Sequence, residues 1–290
     1  MPKIKKRYWA LSVFLCLFLM SRCESLKMRY EPGKLVADLS ANGITHAKLL
    51  RDTSAVGQLQ YLEIDEDASL PLLVLLHGSP GALSAYEPYY TDRQLLDSFS
   101  MLAIDRPGFG FSDFGKAAPL LADQATAVAN VLKQYPNRQK IMIGHSMGGP
   151  LLARLALDYP KQVDGMVMVA PSVSPMLEPA AGWRKFVNTP PIRWFTPPAL
   201  RVCNQEIIPL REELDKLMPA WKKMDLQVTV VQGTEDQLVP MGNAAFVAES
   251  IGDMNLVKLS YVEGGDHFIL WTEVPLIREE ILGVLARANR

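Results

Sequence analysis

An α/β architecture is predicted: a mostly parallel, doubly wound sheet of about eight strands, interrupted by one short inserted cap. Three observations carry it. Short apolar runs alternate with helical patterns from about residue 44 onward. Several of these runs, such as PLLVLLHG at 71–78, are apolar without a break, as a strand covered on both faces must be. Nine of the chain's 21 prolines fall between Pro171 and Pro219, where the alternation lapses before resuming.

The first residues differ from all that follow. Lys3, Lys5, Lys6 and Arg7 precede a largely apolar run from Tyr8 to Met20. As a helix that run spans about 20 Å, against the roughly 30 Å of a hydrocarbon core. Residues 1–23 therefore read as a signal or anchor segment, and the chain as exported or membrane-attached, in a bacterial-type envelope or periplasm rather than the cytoplasm. LMSRC, at 19–23, resembles the lipobox of bacterial lipoproteins, which implies a lipidated Cys23. Arg22 departs from that pattern, and cleavage after Cys23 or an uncleaved anchor are the alternatives. Residues 24–43 read as a linker.

ITHAKLL and GQLQYLEI form a pair of strands across RDTSAV. The strand PLLVLLHG is followed by a helical stretch, AYEPYYTDRQLLDSF, then strand MLAID at 101–105 and helix LLADQATAVANVLKQY at 120–135. Strand KIMIG leads into a helix after Ser146, and strand GMVMVA ends at Ala170. Beyond the proline-rich insertion come strand LQVTVVQG (226–233), helix GNAAFVAESIG (242–252), strand NLVKLSYV (255–262) and a last helix over 275–288. The core thus occupies 44–171 and 225–290, with the cap at 172–224.

At 290 residues and 49% hydrophobic content the chain can bury one large core. A net charge of -1 supplies no field for nucleic acid. The four histidines and three cysteines lack the short spacings of zinc sites, so no metal is implied. Cys203 is the one thiol beyond the leader, and no disulfide framework is expected. Oligomeric state is not written in the sequence.

Ligands of such sheets bind at the carboxyl ends of the strands. HGSPG (His77–Gly81) follows the strand at 71–76, and DRPGFGFSD begins at Asp105. GHSMGG (Gly144–Gly149) brackets Ser146 with glycines where strand gives way to helix, the pattern of a nucleophile elbow. GTEDQLVP carries Asp236, and EGGDHFILW carries His267, each just past a strand.

With Ser, Asp and His in that order, the sequence resembles the α/β-hydrolase family over roughly residues 44–288, in its serine hydrolase branch. HGSPG matches the family's HG-x-P oxyanion loop and DRPGFGFS its D-R-P-G-x-G-x-S turn. The resemblance implies Ser146 as nucleophile, Asp236 as acid and His267 as base, with the backbone N–H groups of Ser79 and Met147 as oxyanion hole. It implies no cofactor. A serine hydroxyl needs an imidazole to take its proton, and a carboxylate to fix the tautomer and stabilise the cation that forms. Glu235 and Glu178 are rival acids, His77 and His145 read as loop-shaping, and Asp105 and Arg106 as bracing the loop through a salt bridge.

The expected reaction is hydrolysis of a small-molecule carboxylic ester with a small or medium apolar acyl group, because a serine nucleophile argues against the dehalogenase and epoxide hydrolase branches. HGSPG also partly resembles the HGGPG of proline iminopeptidases, with Ser79 for Gly, an alternative that needs glutamates in the cap. Glu178, Glu206, Glu212 and Glu213 lie there, with solvated helix surface as their expected place. A non-catalytic ligand-binding relative is the third reading. Trp183, Trp194, Phe195 and Trp221 of the cap either line an acyl pocket or pack the cap onto the core.

Overall fold

The computed structural model describes Ser12 and residues 24–54, 56–179, 181–190 and 192–289. The rest of the leader, Cys23 and its lipobox-like pattern included, lies outside the described residues. Among those that are described, no helix is long and apolar enough to cross a membrane.

Eight strands form one sheet: β1 Ala47–Ser54, β2 Gly57–Ile64, β3 Leu72–Leu76, β4 Ser100–Ile104, β5 Lys140–His145, β6 Gly165–Val169, β7 Gln227–Gly233 and β8 Val257–Val262. Their order is β1-β2-β4-β3-β5-β6-β7-β8. The β1–β2 and β2–β4 pairs are antiparallel and all others are parallel, as the alternation of the sequence predicts. Each face has its own apolar layer. Leu72, Val74 and Leu76 of β3 point into one and Leu73 and Leu75 into the other, which is why that run has no polar alternation.

The helices are α1 Pro32–Ala41, α2 Leu121–Leu132, α3 Gly148–Asp158, α4 Gly182–Val187, α5 Pro198–Leu217, α6 Gly242–Ile251 and α7 Val274–Ala288. Leucines and alanines of α2 and α3 and Phe246 and Val247 of α6 fill one layer. Leu35 and Leu39 of α1, Tyr86, Tyr89 and Tyr90, and Ile277, Ile281 and Val284 of α7 fill the other.

Three stretches depart from the sequence reading. The segment taken as a linker contains α1, whose Leu35 and Leu39 are buried four residues apart on one helical face. β1 runs on through Arg51–Ser54, because at the sheet edge backbone pairing with Gly57–Gln60 of β2 sustains a strand without apolar side chains. The stretch 85–99, expected as one helix, is three short turns, Leu83–Tyr86, Glu87–Tyr90 and Arg93–Leu96. Asp92 ends the middle one and caps the last, accepting from Gln94 N and Leu95 N.

The cap is more regular than its prolines suggest. α5 is 20 residues long with Pro209 inside it. An interior proline costs about 3 kcal/mol, and burial of Val202, Leu210, Leu214 and Leu217 opposes that loss. Trp221, just past α5, is buried edge-to-face against Phe246. It packs the cap onto the core.

Candidate active site

The sharp turn at the end of β5 sets the site. Ser146 is held at φ +52°, with its N–H donating to Val169 O of β6 (2.9 Å) and its carbonyl accepting from Gly149 N (2.9 Å). Left-handed backbone is costly for a serine, so its neighbours must impose it. They do so by close approach. A Cβ on Gly144 would stand 2.6 Å from Gly148 O, and one on Gly148 2.4 Å from Leu76 O. Only glycine lets strand, elbow and helix meet at that spacing.

Asp236 and His267 arrive on the loops after β7 and β8. The ring Nδ1 donates to Asp236 Oδ2 at 2.8 Å, and Asp236 Oδ1 accepts from Leu238 N (2.9 Å) and Val239 N (2.8 Å). Burial pushes the Asp236 pKa up, yet the hydrogen bonds from His267, Val239 and Leu238 outweigh it and hold the carboxyl below its usual range. The remaining ring nitrogen is left to act as a base. Neither rival acid takes this place: the Glu235 N–H donates to Gly265 O (2.9 Å), and the Glu178 carboxylate accepts from Ser172 Oγ.

Ser146 and His267 line one cavity of about 260 Å³, together with Ser79 and Met147. The Ser146 hydroxyl makes no hydrogen bond to the ring among the described residues, whose ring hydrogen bond goes to Asp236. Such contacts are often loose in empty sites and tighten around substrate. Likewise, the backbone N–H groups of Ser79 and Met147 donate no hydrogen bond among the described residues. They are available to an incoming oxygen. Leu177, Ile207, Leu210 and Val239 give the cavity apolar walls, whereas none of the cap's Trp or Phe residues lines it. The aromatic pocket considered from sequence is an aliphatic one.

The two other histidines nearby support loops. His77 Nδ1 donates to Gly78 O (2.7 Å) while its Nε2 accepts from Arg106 N (2.9 Å), and burial holds its pKa well below the ordinary value. His145 Nε2 donates to His267 O at 3.0 Å, and burial, reinforced by the His267 charge, lowers its pKa to about 4. Both are neutral braces.

Arg106 corrects two sequence readings. Its guanidinium is fully buried and bidentate to Glu206 of α5 (2.8 and 3.0 Å), and it also donates to His77 O, Gly78 O and Gln124 Oε1. The brace is therefore not an Asp105–Arg106 pair: the Asp105 carboxyl accepts from Leu83 N, Phe111 N and the Tyr30 hydroxyl, and burial pushes its pKa up to about 7. Nor do the cap glutamates form a solvated surface. Glu178, Glu206 and Glu213 are buried; only Glu212 of the four stays exposed. Arg106 and Glu206 are 100 residues apart, so spacing held no sign of their pairing.

The eight-stranded sheet has the alpha/beta hydrolase fold, and residues 71–198 match the model of the alpha/beta hydrolase fold family. Among curated relatives the chain is similar to pimeloyl-[acyl-carrier protein] methyl ester esterase of Shewanella woodyi, 35% identical over 111 residues, which is 38% of this chain and 40% of the relative. The chain thus matches well under half of that enzyme's length. Among solved structures it is similar to a membrane phospholipase A described as a bacterial virulence factor (TM-score 0.64, 16% identity, 99% of each chain). It is also similar to an esterase of Exiguobacterium antarcticum (TM-score 0.64, 18% identity, 80% of this chain and 97% of that one). At these identities the structural likeness is one of fold. No cluster of three or more His, Cys, Asp or Glu side chains suited to a metal occurs among the described residues.

Proposed function

We propose that this protein is a serine hydrolase that cleaves carboxylic esters with small or medium apolar acyl groups. The observation that carries the reading is one cavity lined by Ser146 at a left-handed elbow, by His267 with Asp236 bonded behind its ring, and by Ser79 and Met147, whose N–H groups have no hydrogen-bond partner among the described residues. In the proposed reaction Ser146 Oγ attacks the ester carbonyl carbon as His267 Nε2 takes its proton, and Asp236 stabilises the imidazolium. The N–H groups of Ser79 and Met147 receive the oxyanion, and removal of one such donor typically costs about 100-fold in rate. The imidazolium then protonates the departing alcohol. Water, deprotonated by the same ring, attacks the acyl-enzyme, and the acid leaves with Ser146 restored.

The cavity's aliphatic walls and modest volume support a small or medium acyl chain. The esterase relative and the esterase and phospholipase neighbours are in keeping with an ester substrate. An aminopeptidase needs a cap carboxylate free to grip an amino terminus, but Glu206 is committed to Arg106 and Glu213 to Lys216, and Glu178, the cap carboxylate that lines the cavity, accepts from Ser172 Oγ. The leader at 1–23 makes export or membrane attachment part of the proposal, with lipidation at Cys23 one form of it. The test is a substrate panel: p-nitrophenyl acetate and butyrate are expected to be turned over and proline β-naphthylamide left intact. The opposite pattern transfers the site to the peptidases.

A further inference from the structure

Between Glu178 and Glu206 the cap contains Arg184, Lys185, Arg193 and Arg201 and not one acidic residue, although the chain as a whole carries a net charge of -1. The same stretch exposes large aromatic side chains. Trp183 and Trp194 are each 58% exposed and Phe186 66%. Side chains of this size shed water when left in solution, and monomers rarely leave several together without a partner. Trp and Phe interleaved with Lys and Arg is the composition that settles at a lipid–water interface: the rings enter the headgroup layer and the cations meet anionic headgroups.

Trp183 adjoins the cavity through Arg184. The Arg184 guanidinium stacks on the Trp183 ring at 4.5 Å, donates to Asn204 Oδ1 at 2.9 Å and lines the cavity. Leu177 and Leu238, two more cavity residues, are themselves exposed, Leu238 to 66%. Exposed apolar side chains thus occur both in the aromatic stretch and in the cavity wall, with Arg184 touching both. We infer that the cap face around Trp183, Phe186 and Trp194 docks on an anionic lipid surface and presents the cavity to it. Docking stands on the cap alone; that the docked cavity takes a lipid-borne acyl ester rests on the ester-hydrolase reading.

The charge complement decides between occupants. A second copy would bring the exposed Lys185 and Arg193 up against their own like charges, and an apolar peptide would leave them unanswered, whereas phosphate headgroups neutralise them. The full chain, leader included, is to be mixed with vesicles of phosphatidylcholine alone or with phosphatidylglycerol, their acyl chains brominated to quench tryptophan. Quenching should rise with phosphatidylglycerol and fall with added salt. With Trp9 of the leader replaced by Phe throughout, so that leader insertion adds no signal, it should be largely lost in Trp183→Phe/Trp194→Phe. In Lys185→Glu/Arg193→Glu, binding to the anionic vesicles should weaken about tenfold or more, while turnover of soluble p-nitrophenyl butyrate stays at the wild-type level. Equal quenching with and without phosphatidylglycerol overturns the proposal, as does quenching that survives loss of both tryptophans. A vesicle-independent dimer abolished by Trp194→Ser assigns the face to a second copy instead. Intact docking with no turnover of any ester would sink the chemistry and leave the docking standing.

Discussion

Ser146 sits in left-handed backbone with its side chain on the cavity, and in the proposed mechanism its neighbours hold that position or complete its proton path. Asp236 is the residue whose loss reads most directly on that path. Asp236→Asn keeps the shape but offers His267 Nδ1 the wrong partner, and kcat should fall about 10⁴-fold with little change in KM. Steady-state kinetics on p-nitrophenyl butyrate check this. His145 makes a prediction about stability rather than rate. Its folded pKa of about 4 lies below the ordinary 6.5, so the unfolded chain takes up a proton first as pH falls. Stability is unaffected above about 6.5 and is lost progressively down to about 4, by about 3 kcal/mol in full. Urea unfolding at a series of pH values should show a shallower acid loss in His145→Gln than in the wild type.

At the scale of the element, the strand–elbow–helix unit of β5 and α3 works because two glycines let it close. Gly148→Ala would put a methyl group 2.4 Å from Leu76 O, a backbone atom in the middle of the sheet's end. The strand cannot yield as a flexible side chain would, and the variant should lose about 2 kcal/mol or more, together with the proposed turnover of p-nitrophenyl butyrate. Thermal melts and assay on the same preparation test both. These elements were legible in the sequence because their signals are local: unbroken apolar runs for strands buried on both faces, and Gly-x-Ser-x-Gly for the elbow. Where backbone pairing or a cap decides the matter, the signal was weaker. Arg51 and Thr53 in the outer half of β1 are polar and exposed, yet the segment remains a strand through its pairing with β2, and the break at Asp92 depends on a side chain bonding two N–H groups ahead of it.

At the scale of the whole molecule, the cap is fastened to the core by a buried ion pair that also shapes the His77–Gly81 loop, since Arg106 holds the carbonyls of His77 and Gly78 while it grips Glu206. Glu206→Gln leaves the Arg106 charge buried without its partner and should cost about 3–5 kcal/mol. Glu212→Gln, an exposed change on the same helix, should leave the denaturation midpoint where it was. The comparison separates a lock from general loss of acidity in the cap. Nothing in the sequence announced this lock, because a pairing across 100 residues is made by the fold and has no local pattern. Ser146, Asp236 and His267 were legible for the converse reason: each follows its own strand, and in a parallel sheet the strand ends converge. That convergence is the central claim, and mapping the site of covalent labelling by a fluorophosphonate probe tests it most directly. The account predicts a single adduct on Ser146, absent from a Ser146→Ala variant that melts at the wild-type temperature; an adduct elsewhere, or labelling that persists in that variant, contradicts it.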